Sequence, residues 1–360
     1  MVDAMRKTTF AVVGLGLGLV LAFGLGESAL RLYDLVQGRD PLGAQLGENI
    51  SASGRYQPHP YMGYTLKPGH VGEGVNPLGF RGVPVSPDKP DDVFRILCLG
   101  GSTTYGSRVP AYRAYPARLQ TMLTNAQRDD PSLRYEVLNC GVPGYTTAES
   151  LVNLSLRLSD FKADALVIYH GINDARLIQV GGFRSDYSHM RSSWRYPVIS
   201  PVEWTLLRHS RLFFRLFGET YVKPSERRLE HLVFVDSAKD PHPSPSWEGV
   251  NPKGIATYVR NLRNLIAVAQ EQGIEPVLTT FASSTDNLDG PGYEDVLAAM
   301  NLQVRRLARE RNLPIIGLNR VLSPQSELFS DYIHLNEAGC LAQARAIYGQ
   351  ARAQGLWHLR

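Results

Sequence analysis

The sequence has few cysteines, three in 360 residues, and Cys98, Cys140 and Cys340 fit neither a metal-ligand spacing nor an evenly paired disulfide framework. That excludes a zinc module and a disulfide-stapled scaffold, and no metal or cofactor is expected. Cys98 and Cys140 fall at the ends of predicted strands, where a bridge between neighbouring strands stays open. Charge of one sign is not in large excess either: 38 Lys and Arg against 34 Asp and Glu leave a formal net charge of +4. No dense basic run is interleaved with aromatics, so nucleic acid is not an expected partner. What is present, 43% hydrophobic and 20% charged residues, is the composition of a globular protein with material for one large domain or two ordinary ones.

Long uncharged runs are also scarce. Only Thr8 to Gly26 attracts notice, a stretch rich in Leu, Val, Ala and Gly and preceded by Arg6 and Lys7. At about 1.5 Å per helical residue it just crosses a hydrocarbon core of roughly 30 Å. Cations before it and a mixture of Glu27, Arg31 and Asp34 after it favour a cytoplasmic N-terminus. The competing reading, a cleaved signal peptide, lacks a clean small-x-small cleavage site, and the pattern from Glu27 to Leu35 continues as a helix. The expected layout is therefore a cytoplasmic end (1–7), a single transmembrane anchor (8–26), a juxtamembrane helix and extended linker (27–93), and a domain at 94–360. That domain is expected outside the cytoplasm, on the periplasmic face of an inner membrane. Gly14 and Gly18 form a G-x-x-x-G that offers a contact to a partner helix.

From Gly38 to Pro90 the chain is rich in Gly and Pro and reads as a linker lying against the domain. Within it, Asn76-Pro77-Leu78-Gly79-Phe80-Arg81-Gly82 is a turn in which Phe80 is expected to plug a core pocket, and Arg81 is a candidate substrate contact. Beyond it a rhythm begins. An apolar run from Phe94, interrupted only by Arg95, leads into two glycines, and within it Ile96 to Leu99 suits a strand covered on both faces. Further strands are expected at Tyr135 to Asn139, Ala165 to Tyr169, Pro276 to Phe281 and Leu313 to Leu318. Helices alternate with them, over Tyr115 to Gln127, Ala148 to Leu158, Lys253 to Gln272 and Tyr293 to Arg311, with a last one from Glu337 to Gln354. Strand, loop and helix repeating in this way imply five parallel strands joined by right-handed crossovers, an α/β fold whose loops arrive at one edge of the sheet.

The rhythm breaks at 177–251, which carries Trp194, Trp204, Trp247, several Tyr and Phe, and Pro241, Pro243 and Pro245. Val202 to Phe217 looks like an amphipathic helix with apolar and basic character. The insertion reads as a lid or substrate wall, with membrane docking as another reading, and an elaborated loop with its own small core ranks equal to the lid.

Four strand ends carry groups that chemistry can use. Gly100-Gly101-Ser102-Thr103 puts a hydroxyl at the end of the first strand, where open parallel sheets bind ligands, although a serine there also suits a helix cap. A serine hydroxyl needs a base to take its proton, and the base needs a partner to fix its tautomer. Asp331-x-x-His334 offers both from one turn. The backbone amides of Ser102 and Gly144, with the side-chain amide of Asn173, offer three donors for an oxyanion. His170, just before Gly171, is a second candidate substrate contact.

Gly101-Ser102, Gly144, Gly171-Ile172-Asn173-Asp174 and Asp331-Tyr332-Ile333-His334 together resemble the four motif blocks of the SGNH, or GDSL-type, hydrolase superfamily. Membrane-anchored bacterial versions with a Gly-Gly-Ser-Thr-Thr first block look most similar. The resemblance implies a flavodoxin-like three-layer α/β/α sandwich, Ser102 as nucleophile, His334 as base and Asp331 as its orienter. It also implies that Gly144 and Asn173 complete the oxyanion hole. One departure stands out: the name-giving block reads Gly-Asp-Ser, and here Gly101 replaces the acidic residue. The expected activity is removal of short acyl groups, acetyl foremost, from a carbohydrate or lipid-linked substrate. Two alternatives are acyl transfer by the same triad and a non-catalytic membrane-complex subunit that keeps the fold.

Overall fold

The apolar run that opens at Val93 forms the second strand of a five-stranded parallel sheet. The computed structural model describes residues 2–37, 55–59, 61–126, 133–190, 201–217, 248–284 and 292–359. The chain divides into two units, Met1–Gln57 with Ser193–Glu230 and Pro58–Ser192 with His231–Arg360.

After the short strands β1 (Tyr56–His59) and β2 (Gly63–Leu66), the strands of the larger unit's main sheet are β3 (Val93–Gly100), β4 (Arg134–Asn139), β5 (Ala165–Tyr169), β6 (Glu275–Thr279) and β7 (Ile315–Ile316). They lie in the order β4-β3-β5-β6-β7, the flavodoxin-like order, and every pair is parallel. Ile96, Leu97, Cys98 and Leu99 on β3 are wholly buried, as a strand covered on both faces requires. Helices Tyr115–Ala126 and Glu337–Ala353 pack together as one group. Thr147–Leu156, Ile172–Gln179, Pro252–Glu271 and Glu294–Arg311 form the other, with the sheet between the two groups. Arg95, the charged residue in the β3 run, is also fully buried. Its guanidinium is taken up by Glu136 at 2.7 Å and by the carbonyls of Ser86 and Phe161.

Elements match the sequence reading within a few residues except at the far edge. The strand expected over Leu313 to Leu318 shrinks to the two residues of β7, and Leu318–Leu322 starts a short helix instead. From residue 61 on, the glycine- and proline-rich lead-in packs into the domain. Met62, Tyr64, Leu66, Val75 and Phe80 are all buried, Phe80 in the main core as expected. All three cysteines are free and buried, so Cys98 and Cys140 form no bridge.

In the smaller unit Val2–Val36 is one uninterrupted helix of 35 residues. Its segment Thr8–Val36 is long and apolar enough to cross a membrane, and an 18-residue window within it has a mean hydropathy of 2.1 with none of that window buried. It therefore runs well past Gly26. Nothing in the described structure approaches within 4 Å of a Cβ built on Gly14 or Gly18, so the G-x-x-x-G face is open. The single helix expected over Val202 to Phe217 is two, Pro201–His209 and 211–217. Ser210 separates them: its amide still bonds Leu206 O, while its hydroxyl accepts from Phe213 N at 3.0 Å and so caps the second helix. Trp194, Trp247, Pro241, Pro243 and Pro245 lie outside the described residues.

Candidate active site

β3 delivers its last residues into a sharp turn. Gly100 and Gly101 are required there by close approach. A Cβ on Gly100 would stand 2.1 Å from Thr104 Oγ1, and one on Gly101 would stand 2.5 Å from Asn173 Nδ2. Ser102 then opens the one-turn helix Ser102–Tyr105, closed by Gly106 in the left-handed region at φ 80°. The position puts the half-buried Ser102 at the carboxyl edge of the sheet, where later loops can reach it.

The loop between β7 and the last helix does reach it. Asp331 Oδ1 accepts from the amides of Ile333 (3.0 Å) and His334 (2.7 Å), a tight turn that folds the carboxylate back over its own loop. The same turn sets His334 Nδ1 2.8 Å from Asp331 Oδ2, and His334 Nε2 2.8 Å from Ser102 Oγ. Nδ1–H donates to the carboxylate in this tautomer, which leaves Nε2 to accept the serine proton. Burial works to raise the Asp331 pKa. The hydrogen bonds and charge of His334, with the two loop amides, outweigh it and hold the carboxyl well below the usual carboxylate range. The carboxylate is thus ionised beside the imidazole throughout the neutral range.

Asn173 sits in the first turn of helix Ile172–Gln179 and is buried. Its Nδ2 donates to Tyr145 O at 2.9 Å, which ties it to the loop after β4, and its second N–H remains for another acceptor. Gly144, in that same loop, has φ 82°, a conformation that explains a glycine there. Ser102, Asn173 and the Gly144 loop are therefore neighbours, as the motif order anticipates. Among the described residues no group of three or more His, Cys, Asp or Glu is arranged to hold a metal ion.

Two residues expected to touch substrate are placed elsewhere. Arg81 is buried, with Nη1 donating to Tyr105 O (2.5 Å) and Gly106 O (2.6 Å), Nη2 to Val109 O (2.8 Å) and Nε to Glu73 O (3.2 Å). Its guanidinium lies over the Tyr105 ring at 4.0 Å. A cation so engaged holds the turn behind Ser102 from below. His170 is only 3% exposed, and its Nε2 lies 2.8 Å from Ser150 Oγ. Burial pushes its pKa down to about 3, so it is a neutral core residue and not a pocket lining.

Other participants left little sign in the sequence. Arg108, exposed in the loop after Ser102, donates from Nη2 to Asp331 Oδ2 at 3.1 Å. Tyr64 on β2 donates to Pro143 O (2.6 Å) and accepts at its own carbonyl from Tyr145 Oη (2.5 Å), clamping the Gly144 loop on both sides. Asp174, fully buried next to Asn173, accepts from Thr147 N (3.1 Å), Thr147 Oγ1 (2.5 Å) and Tyr187 Oη (3.1 Å). Arg176 donates to the Tyr332 hydroxyl and so links the Asn173 helix to the Asp331–His334 turn. Only the fourth residue of the Gly-x-Asn-Asp block hinted at any of them.

Comparison with known proteins adds a family. The model of the GDSL-like lipase/acylhydrolase family matches residues 98–341, more than half of the chain. No curated protein matches. Among solved structures the chain is similar to a GDSL-like lipase from Bacteroides thetaiotaomicron, at 12% identity and a TM-score of 0.40, covering 75% of this chain and 93% of that one. It is also similar to an acetylxylan esterase from Geobacillus stearothermophilus, at 18% identity and a TM-score of 0.43, covering 71% of this chain and 93% of that one.

Proposed function

Because the chain belongs to the GDSL-like lipase/acylhydrolase family and is therefore a hydrolase, we propose that it is a membrane-anchored serine esterase in which Ser102 is the nucleophile. The observation that carries this reading is the continuous chain of contacts from Asp331 through His334 to Ser102 Oγ. His334 Nε2 takes the Ser102 proton as Oγ attacks the acyl carbon, and Asp331 steadies the imidazolium that results. The amides of Ser102 and Gly144, with Asn173 Nδ2, stabilise the oxyanion, each donor contributing about 3–4 kcal/mol to the lowered barrier. Collapse of the tetrahedral species returns the proton to the leaving alkoxide and leaves an acyl-Ser102. Water then enters, gives a proton to His334 Nε2 and attacks the acyl carbon; the second tetrahedral species breaks its bond to Ser102 Oγ, which takes the proton back from Nε2 as the acid leaves.

The acyl group is short, acetyl foremost, and the substrate is an esterified carbohydrate or lipid-linked molecule on the extracytoplasmic side, where an anchor flanked by Arg6 and Lys7 would leave the domain. A fluorophosphonate probe tests the core of this reading. The wild type should label, and Ser102→Ala should not, with His334→Ala lowering the labelling rate by on the order of 10⁴. Equal labelling of Ser102→Ala would sink it. Acid release in water without any acceptor alcohol supports hydrolysis, and a strict requirement for an acceptor would reassign the second half-reaction to acyl transfer.

A further inference from the structure

The anchor helix carries three charges past Gly26, and each is met by the two-helix part of the insertion. Glu27, Arg31 and Asp34 fall at i, i+4 and i+7, one face of the helix. The Glu27 carboxylate accepts from Arg31 Nε (2.7 Å), Ser210 Oγ (2.9 Å), Leu212 N (3.0 Å) and Arg211 N (3.1 Å). Arg31 Nη2 donates to His209 O at 2.7 Å, and Asp34 pairs with Arg211, with Arg215 at 3.8 Å from its other oxygen. The opposite face is different. Leu21, Leu25, Leu32 and Val36 are all between 63% and 72% exposed there, and Leu35, one turn beyond Arg31, is 78% exposed beside the charged face. Two hydroxyls fall among them: that of Ser28 is returned to Gly24 O at 2.8 Å, and Tyr33 is 47% exposed.

Glu27 and Asp34 are covered on that side, Arg31 keeps an exposed flank, and away from these three the helix presents a predominantly apolar surface as far as Val36. At about 1.5 Å per residue, Thr8–Val36 spans roughly 43 Å, enough for the hydrocarbon core together with both headgroup layers. The segment that covers Glu27 to Asp34 is then level with the outer headgroups. It carries its own exposed apolar residues, Val202 (67%), Leu216 (62%) and Phe217 (46%), beside the exposed Arg215.

We infer that helices 201–209 and 211–217 are a membrane-interfacial element whose partner is a phospholipid bilayer, into whose headgroup and acyl boundary Val202, Leu216 and Phe217 insert. The inference rests on the anchor reading above. It assigns this part of the insertion to the membrane and not to a lid: the segment that exposes these apolar residues is bound to the outer end of the anchor, and its polar contacts are turned inward onto Glu27 and Asp34. An element of this kind binds through buried apolar side chains while its cations remain at headgroup level.

The full chain reconstituted in phosphatidylethanolamine and phosphatidylglycerol vesicles tests this with nitroxides at single introduced cysteines, the three native thiols being buried. Labels replace Val202, Leu216, Leu19 in the anchor, and the exposed Glu271 of the larger unit as an aqueous reference. The ratio of oxygen to water-soluble nickel-complex collisions should be several-fold higher at positions 202, 216 and 19 than at 271. Lipid at 19 with water at both 202 and 216 overturns the interfacial element and leaves the anchor standing. Shielding of 202 and 216 from both quenchers marks a protein contact and equally overturns it. Water at 19 overturns the anchor and the inference with it.

Discussion

Gly101 stands where the name-giving motif of the family has an acidic residue, and in this chain a side chain there has no room as the site is packed. The space a Cβ would enter is filled by Asn173, whose Nδ2 is 2.5 Å from that position. Even Gly101→Ala must displace the amide proposed as an oxyanion donor. Steady-state kinetics on a short-chain acyl ester should therefore show kcat falling by about 10²–10³ with KM nearly unchanged, the cost of losing one such donor. Unchanged kcat would remove Asn173 from the oxyanion site. One residue further along, Asp174 offers a test of a different sort. Burial raises its pKa from 3.8 to about 7, against the lowering effect of the Thr147 and Tyr187 hydrogen bonds. From about pH 4 to pH 7 the native state thus holds a proton that the unfolded chain has released. Folding stability from this group is full below pH 4 and lost as pH rises to 7, by a few kcal/mol in all. Asp174→Asn removes the titration, so the variant's denaturation free energy, measured across this range, should fall less steeply with pH than the wild type's. Parallel pH profiles would show that the carboxylate stays ionised in the fold.

The element that most altered its meaning is the turn from Asn76 to Gly82. Its sequence reads as a turn, and it is one. Asn76 Oδ1 accepts from Leu78 N (2.9 Å) and Phe80 N (3.1 Å), and Gly79 takes φ 76°. The destination of Arg81 was not legible, because three of the four carbonyls that engage it lie 24 to 28 residues away in the chain, and none carries a side-chain signal. The same holds for Tyr64 and its contact with Pro143 O. Strands were legible for the opposite reason: β3 and β5 are covered on both faces, and continuous apolar runs record that directly, whereas two-residue β7 at the sheet edge does not. Motif order located the strand-end residues, since a parallel sheet brings every such loop to one edge. Arg81→Met separates the two roles proposed for this cation. A structural arginine predicts a loss of about 2–4 kcal/mol in urea denaturation, from buried carbonyls left unsatisfied, with KM unaffected. A raised KM at unchanged stability would return Arg81 to the substrate.

At the scale of the whole molecule, the three thiols report on how the α/β unit is closed. Cys98 is on β3, Cys140 follows β4 and Cys340 is on the last helix, and all three are at most 2% exposed. The sequence placed two of them at strand ends and left a bridge open; parallel strands set both side chains in the core as separate thiols. Burial raises the pKa of each, foremost for Cys98, and pushes Cys140 up to about 12 and Cys340 up to about 11. A thiol reacts as thiolate, so both lack of access and lack of ionisation protect these residues in the native fold. Reaction with a disulfide reagent at neutral pH should be negligible in the native protein and should yield three thiols per chain in denaturant. Because no single side-chain movement exposes residues in three different elements, the three should become reactive together as denaturant is raised, along the same transition that circular dichroism follows. Early release of Cys340 alone would show that helix Glu337–Ala353, which directly follows the Asp331–His334 turn, detaches before the sheet opens, and activity would then be lost ahead of the fold.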